Sequence, residues 1–349
     1  MGRAKWAQRV WRELRGGHTQ AEPPPEQTWR RTIWCLRKGF LPTSYDLYSL
    51  GENDPREYLS DREREMTWIL NWPYAGILDD KLGFDSVLKQ LGARTPEIRG
   101  LVIKGRLTPL DEGRGVAGKD WWQERLDRVG RLVLKPIWGS KGNGVSIVER
   151  SAAGCRVNDQ QTTLDELEQR LSRMDRYLVS DYAQQASYAQ EIFPGAANSI
   201  RILTVHDENG VPFIAAATHR FGTNRSGRPI DNWSAGGLSA GIELETGQLS
   251  AGLTSLDFSR MERHDHHPDT GTPIKGNRVV NWDVIRAGIV EVAAKLPFLP
   301  YVGWDVVATD SGYLIIEGNK QSDVNLLQVH RPLLRDSRVR GFYEREGIL

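Results

Sequence analysis

Only two cysteines, Cys35 and Cys155, occur among the 349 residues. So few cannot build a disulfide framework or a cysteine-rich zinc ribbon, and one optional bridge would say nothing about an oxidising compartment. Long apolar runs are missing too, and none approaches the roughly 20 residues that a spanning helix needs. The N-terminus lacks the continuous apolar segment of a secretory signal, and Trp6 stands where a myristoylation motif requires Ser or Thr. Nor is there an excess of one charge. The 46 Lys and Arg face 45 Asp and Glu, so a net charge of +1 draws the chain to neither nucleic acid nor membrane. What is left, 39% hydrophobic and 26% charged, is an ordinary globular chain of about two domains, expected in the cytoplasm. Its oligomeric state is not encoded in any of these features.

The first 17 residues are basic: Arg3, Lys5, Arg9, Arg12 and Arg15 face only Glu13, while Trp6, Val10, Trp11 and Leu14 fall at helical spacing. Such a helix either packs its apolar side on the protein body, the expected outcome, or rests on an anionic membrane surface. Pro23, Pro24 and Pro25 mark residues 18–28 as a linker. Helical pattern resumes to about Trp72, and the charge-dense stretch 54–66 within it reads as a solvated face. Residues 1–74 are therefore expected to form a helical extension. Beyond Tyr74, β-rich runs at 131–137, 176–182, 199–206 and 212–220 alternate with helical windows at 162–174 and 280–296. That mixed order predicts an α+β fold of antiparallel sheets with helices packed on them.

Two glycine-rich stretches compete as phosphate cradles. Gly113–Asp120 falls one residue short of a P-loop, places Asp120 where a hydroxyl should meet magnesium, and follows no apolar strand, so it is rejected. In 132–149 a β-branched strand ends at Lys135, the turn Gly139-Ser140-Lys141-Gly142-Asn143-Gly144 follows, and a second strand returns. Backbone N–H groups of such a turn can fold over phosphates with Lys135 aimed at them, although many glycine-rich hairpins are only turns. In 302–323 another hairpin carries Asp305 on one strand and Glu317 and Asn319 on the next. Strand alternation puts the latter two on one face, together with Ile315. Two carboxylates and an amide oxygen are hard ligands suited to Mg²⁺. Ordinary solvent-facing residues of a hairpin would look alike, but the two hairpins together favour a nucleotide–magnesium site.

At this point the residues resemble the ATP-grasp superfamily, and most of all its sugar-transfer-associated branch. Residues 79–84 are similar to a first lysine motif, with Lys81 in the matching position, and 133–145 to a second lysine and glycine-rich flap. Residues 177–182 resemble the hinge strand that frames adenine, so Val179 and Asp181 are expected at the nucleotide. Residues 198–204 resemble a segment whose arginine, here Arg201, approaches the transferred phosphate. The stretch 231–237, with Asp231, Asn232, Gly236 and Gly237, and the stretch 267–276, headed by His267, also look like this branch and are expected near the substrate. The likeness covers about residues 75–330 and maps Asp305, Glu317 and Asn319 onto metal ligands.

The resemblance implies two α+β subdomains clamping ATP: a lobe at 75–130, a flap-bearing subdomain at 131–185 and a metal and acceptor subdomain at 186–349. It implies ATP with one or two Mg²⁺, Mn²⁺ being an alternative, and ligation of a small-molecule carboxylate to a nucleophile through an acyl phosphate. Tailoring of a cell-surface polysaccharide or small metabolite follows from the resemblance alone. A kinase on the same fold and a nucleotide-binding accessory protein are the alternatives. Lys81 and Lys135 are expected at the α and β phosphates, and Arg201 at the transferring phosphoryl, the alternative for Arg201 being a salt-bridged strand arginine. Arg220, at the end of a strand, is expected either to grip a carboxylate bidentately or to serve the fold. His264, His266 and His267 lack zinc spacing and read mainly as a solvated loop. Trp121 and Trp122 read as packing, and Cys155 as unreactive.

Overall fold

A computed structural model describes residues 2–14, 28–110, 118–139, 142–152, 154–227, 231–255 and 261–349, apart from the side chains of 2–5, 13, 14 and 28. The linker reading of 18–28 and the sites Ser140 and Lys141 lie outside the described residues, Thr28 excepted.

Two seven-stranded sheets form the frame among the described residues. The first is built from β1 (Ile98–Ile103), β2 (Arg106–Pro109), β3 (Arg131–Pro136), β4 (Ser146–Ser151), β5 (Gly154–Val157), β6 (Gln160–Thr162) and β7 (Tyr177–Asp181), in the order 2-1-7-3-4-5-6. The second contains β8 (Ile200–His206), β9 (Pro212–Phe221), β10 (Leu238–Ile242), β11 (Leu249–Ser255), β12 (Met261–His264), β13 (Tyr301–Thr309) and β14 (Gly312–Asn319), in the order 12-11-10-9-8-13-14. Every strand pairing is antiparallel.

Each sheet buries one face under helices. On the first, Trp121, Trp122 and Leu126 of the helix Lys119–Val129 and Leu167 and Leu171 of the helix Leu164–Leu171 cover Val148 and Val179. On the second, Ile285, Ile289 and Val292 of the helix Trp282–Ala294 cover Ile202 and Trp304. The helix Lys81–Gln90 joins this second core through Phe84 and Leu88 although it precedes the first sheet in sequence, and its Phe84 ring lies 6.0 Å from Trp304. Segment 75–130 thus divides, giving its helix to one sheet and its strands β1 and β2 to the other. The start of that helix, where Lys81 sits, is held between the two sheets.

The charge-dense stretch 54–66 is not a solvated face. Asp61, Arg64 and Glu65 are buried in the helix Asp61–Met66. Asp61 Oδ2 accepts from Leu41 N at 2.9 Å and Ser44 Oγ at 2.6 Å, Arg64 pairs with Asp61 and Asp323, and Glu65 with Arg9. A pattern of alternating charge cannot reveal partners that arrive from distant sequence, so the expectation failed there. The same layer clasps the end of the chain: Tyr48 Oη donates to Asn325 Oδ1 at 2.7 Å, and Gln328 Nε2 donates to Leu59 O at 2.9 Å. The helical extension is thereby fixed to the helix Val324–Gln328 that follows β14.

Candidate active site

Cross-strand register brings the charged groups together. Glu317 on β14 pairs directly with Asp305 on β13, which pairs directly with Arg201 on β8. Directly paired residues share a face, so these three form one row across adjacent strands. A bulge at Ile316 makes that row possible: Asp305 opposes Glu317, but Val306 opposes Ile315. The extra residue reverses the alternation, so Ile315 turns into the core and Ile316 into the cleft. This corrects the expectation that Ile315 shares the face of Glu317, because simple alternation assumes an unbroken strand.

The row lines a cavity of about 500 Å³ between the two sheets. Across it stands Lys135, which shares its β3 face with Val133, while Leu132 and Leu134 are buried on the other face. Lys81 reaches in from the start of its helix, where Asp80 caps Leu82 N and Gly83 N at 3.0 Å each. Its Nζ donates to Gly139 O at 2.6 Å and lies 3.5 Å from Glu317 Oε2, tying helix, flap and β14 together. Apolar residues line the same cavity, with Val133, Val145 and Ile147 from the first sheet and Val307 and Ile316 from the second. These were not singled out in the sequence, although the i, i+2 spacing of Val145 and Ile147 is a signal that could have found them.

The electrostatics are strongly coupled. Arg201 holds Asp305 through Nε to Oδ1 at 2.6 Å and Nη2 to Oδ2 at 3.1 Å, and Arg220 Nη2 lies 3.3 Å from Asp305 Oδ2. Burial pushes the Asp305 carboxyl up, but the two guanidinium groups outweigh it and hold it below the usual carboxylate range. Glu317 is pushed up by burial and by the Asp305 charge, more than Lys81 and Lys135 pull it down. Lys135 is pushed down, chiefly by burial, against the attraction of Glu317. Burial also opposes the Arg220 charge, but Asp231 and Asp305 reverse this and raise its pKa. Asp231 Oδ2 in turn accepts from Ser199 N at 2.9 Å and Ser199 Oγ at 2.5 Å, and Ser199 Oγ accepts from Arg220 Nε at 3.0 Å. Ser199 is thus a member of the cluster that the sequence reading missed.

The donor set suits a hard divalent cation. Among the described residues no three His, Cys, Asp or Glu gather as a metal site, so the candidates are the Asp305–Glu317 pair and Asn319. The Asn319 Nδ2 donates to Gly303 O at 3.1 Å and lies 3.5 Å from Asp305 Oδ2. Two facing carboxylates, Asp305 buried and Glu317 pushed up by burial and by the Asp305 charge, are an arrangement that a dication would neutralise.

Other expected residues are placed as follows. Gly139, Gly142, Asn143, Asp231 and Asn232 line the cavity. Asp181 lines it too, but its carboxylate is gripped by Arg99 through two bonds of 2.9 and 2.6 Å, a pairing that was not anticipated. Gly144 lies outside the lining and has φ +76°, and a Cβ there would stand 2.8 Å from Tyr177 Oη. The Val179 side chain is buried in the first core, away from the cavity. Gly236, in the left-handed region at φ +100°, and Gly237, whose added Cβ would stand 2.8 Å from Asp231 O, close the turn that presents Asp231. His267 is buried against Phe193, its Nε2 2.8 Å from Gly222 O, and it lines no part of the cavity. His264 is 2.9 Å from Thr254 Oγ1, and Trp121 and Trp122 form a buried edge-to-face pair.

Two antiparallel sheets with helices, facing across a cleft lined by one lysine-bearing flap and one carboxylate-bearing sheet, constitute an ATP-grasp fold. The chain belongs to the family described as sugar-transfer associated ATP-grasp, whose profile matches residues 70–337. Among solved structures it is similar to the ATP-grasp ligase PsnB complexed with a phosphomimetic variant of minimal precursor, Mg and ADP. That likeness has 16% identity and a TM-score of 0.40, and covers 89% of this chain and 71% of that one. An L-amino acid ligase from Bacillus licheniformis is similar at 12% identity and a TM-score of 0.42, over 79% of this chain and 49% of that one. The ADP complex of N5-carboxyaminoimidazole ribonucleotide synthetase is similar at 9% identity and a TM-score of 0.40, over 77% and 52%. This chain spans about half the length of those last two. No curated protein sequence matches it significantly.

Proposed function

We propose that this protein is an ATP- and Mg²⁺-dependent ligase that activates a carboxylate as an acyl phosphate and joins it to an amine or similar nucleophile. The observation that carries the reading is the row Glu317–Asp305–Arg201, facing Lys81 and Lys135 across one cleft. Phosphoryl transfer asks a protein for charge neutralisation and positioning rather than for a nucleophile of its own. Lys81 and Lys135 hold the α and β phosphates, and the apolar slot around Val133 and Ile147 takes the base, with Asp181 beside it. Asp305, Glu317 and Asn319 would hold magnesium, which when bound neutralises charge on the phosphate oxygens.

Arg201 and Arg220 exchange part of their hold on Asp305 for the transferring phosphoryl and the carboxylate. The Arg220 guanidinium, braced by Asp231 and Ser199, is oriented for that role by groups it keeps throughout. In this reading the acceptor binds beside Trp233, Gln321 and Asp323, which also line the cavity, and Arg64 of the helical extension reaches Asp323 at 3.3 Å. The family's description favours a sugar-bearing partner. Hydroxylamine trapping tests the reaction type: with ATP, Mg²⁺ and a pool of carboxylic acids, an acyl phosphate yields a hydroxamate, ADP and phosphate. A stable phosphorylated product with no hydroxamate would replace the ligase by a kinase.

A further inference from the structure

The first forty residues are charged unlike the rest. They contain nine Lys and Arg against three Asp and Glu, a net +6, whereas the remainder carries 37 against 42 and is net −5. The two helices in this segment turn one face inward. On the helix Thr28–Arg37, Cys35 is fully buried and Trp34 meets Tyr45 edge to face at 5.6 Å. Arg31 lies over the Tyr45 ring at 4.1 Å and pairs with Asp46. On the helix Gly2–Leu14, Arg9 is tied to Glu65. The outward face of the second helix is of a different kind. Trp29, Ile33 and Arg37 stand at i, i+4 and i+8 in one stripe, and Trp29 is 61% and Ile33 43% exposed. The Arg30 guanidinium lies 5.1 Å from the Trp29 ring centroid. Trp11 of the first helix is 58% exposed, with exposed Arg12 beside it.

We infer that this basic, tryptophan-bearing face docks the protein on an anionic lipid surface. Indole rings carry a large apolar area with a polar edge and settle at the headgroup level, while arginines beside them meet lipid phosphate. The positive face of an otherwise acidic molecule sets the orientation: net repulsion keeps the remainder of the chain away from the same surface. An acidic protein would satisfy the arginines but would leave no reason for Trp29 and Ile33 to share their stripe. The inner side of this helix lies in the same buried cluster as Trp233 and Leu326, both of which also line the cleft. Docking would therefore hold the cleft close to the surface.

The test is flotation of the full-length protein with phosphatidylcholine vesicles, with and without a minority of phosphatidylglycerol. Binding to the anionic vesicles alone, weakened by salt, is the expected result. Arg30→Gln/Arg37→Gln should lower the partition about 25-fold, at about fivefold per basic residue. Trp29→Ala/Ile33→Ala should weaken it as well, with an unchanged melting curve in both variants because all four side chains face solvent. Equal binding to both kinds of vesicle would overturn the inference. So would failure of the wild-type protein to float, which would turn the face over to an acidic protein partner.

Discussion

Asp305 and Glu317 face each other across two strands, yet neutralising them should have opposite effects on the apo protein. Asp305→Asn removes the charge that two buried guanidiniums share, Arg201 at 2.6 Å and Arg220 at 3.3 Å. Both Asp305 and Arg201 side chains are only 7% exposed. Breaking one member of a buried pair costs about 3–5 kcal/mol, which corresponds to a fall in Tm of about 6–20 °C if the second sheet and its helices unfold together. Glu317→Gln removes a carboxylate whose charged form burial and Asp305 already disfavour, so the apo Tm should hold or rise. Toward nucleotide the two variants should behave alike. A saturating Mg·ATP analogue at about 100 times its Kd stabilises the wild type by about 2.7 kcal/mol, and both variants should lose that gain. Differential scanning fluorimetry of wild type and both variants, with and without magnesium and a non-hydrolysable analogue, reads all six values. An Asp305→Asn apo Tm within about 1 °C of wild type would refute the electrostatic account. A full magnesium-dependent shift in Glu317→Gln would refute the ligand assignment.

Other consequences are as direct. Gly144→Ala forces a side chain into φ +76° and against Tyr177 Oη. It should cost about 1–3 kcal/mol and raise KM for ATP more than it lowers kcat, and steady-state kinetics with unchanged KM would remove the flap from the account. Burial pushes both His219 and His330 down to about 3. The unfolded chain protonates them near their ordinary 6.5 and the folded chain only near 3, so stability should drain away as pH falls from about 6.5 toward 3. His330→Gln should make that fall of Tm with acid shallower, and an identical slope would contradict it. The Glu317 pKa is shifted up instead, although acid again weakens stability, here the part that magnesium supplies. Its raised pKa means that protons compete with magnesium, so magnesium-dependent stabilisation should shrink as pH falls, and a pH-independent shift would exclude the residue as a ligand.

How much of this was written in the sequence follows from the range of each signal. Lys135 beside its glycines, and Asp305, Glu317 and Asn319 on a hairpin, are local patterns, and they meet in one cleft because strand alternation is local too. Local patterning fails where the backbone departs from it: the bulge at Ile316 sent Ile315 into the core. It also fails where a partner is distant. The Arg99–Asp181 clamp joins residues 82 apart, and the buried charges at Asp61, Arg64 and Glu65 find partners in other segments. His267 sits in a histidine-rich stretch that reads as loop or substrate contact, yet ring stacking on Phe193 and a bond to the Gly222 backbone bury it. The α+β class was legible from alternating strands and helices. The exchange by which the helix Lys81–Gln90 serves the second sheet and β1 and β2 the first was not, because no local pattern records a crossover.

The central claim is that this cleft makes an acyl phosphate from ATP. The most direct measurement is ³¹P NMR combined with mass spectrometry of purified protein, incubated with ATP, Mg²⁺ and a pool of amino acids, uronic acids and sugars. The account predicts ADP and inorganic phosphate in equal amounts with an adduct lighter by one water than the sum of its parts, all absent in Asp305→Asn and Lys135→Met. ADP with phosphate retained on a product, or turnover undiminished in those variants, would contradict it.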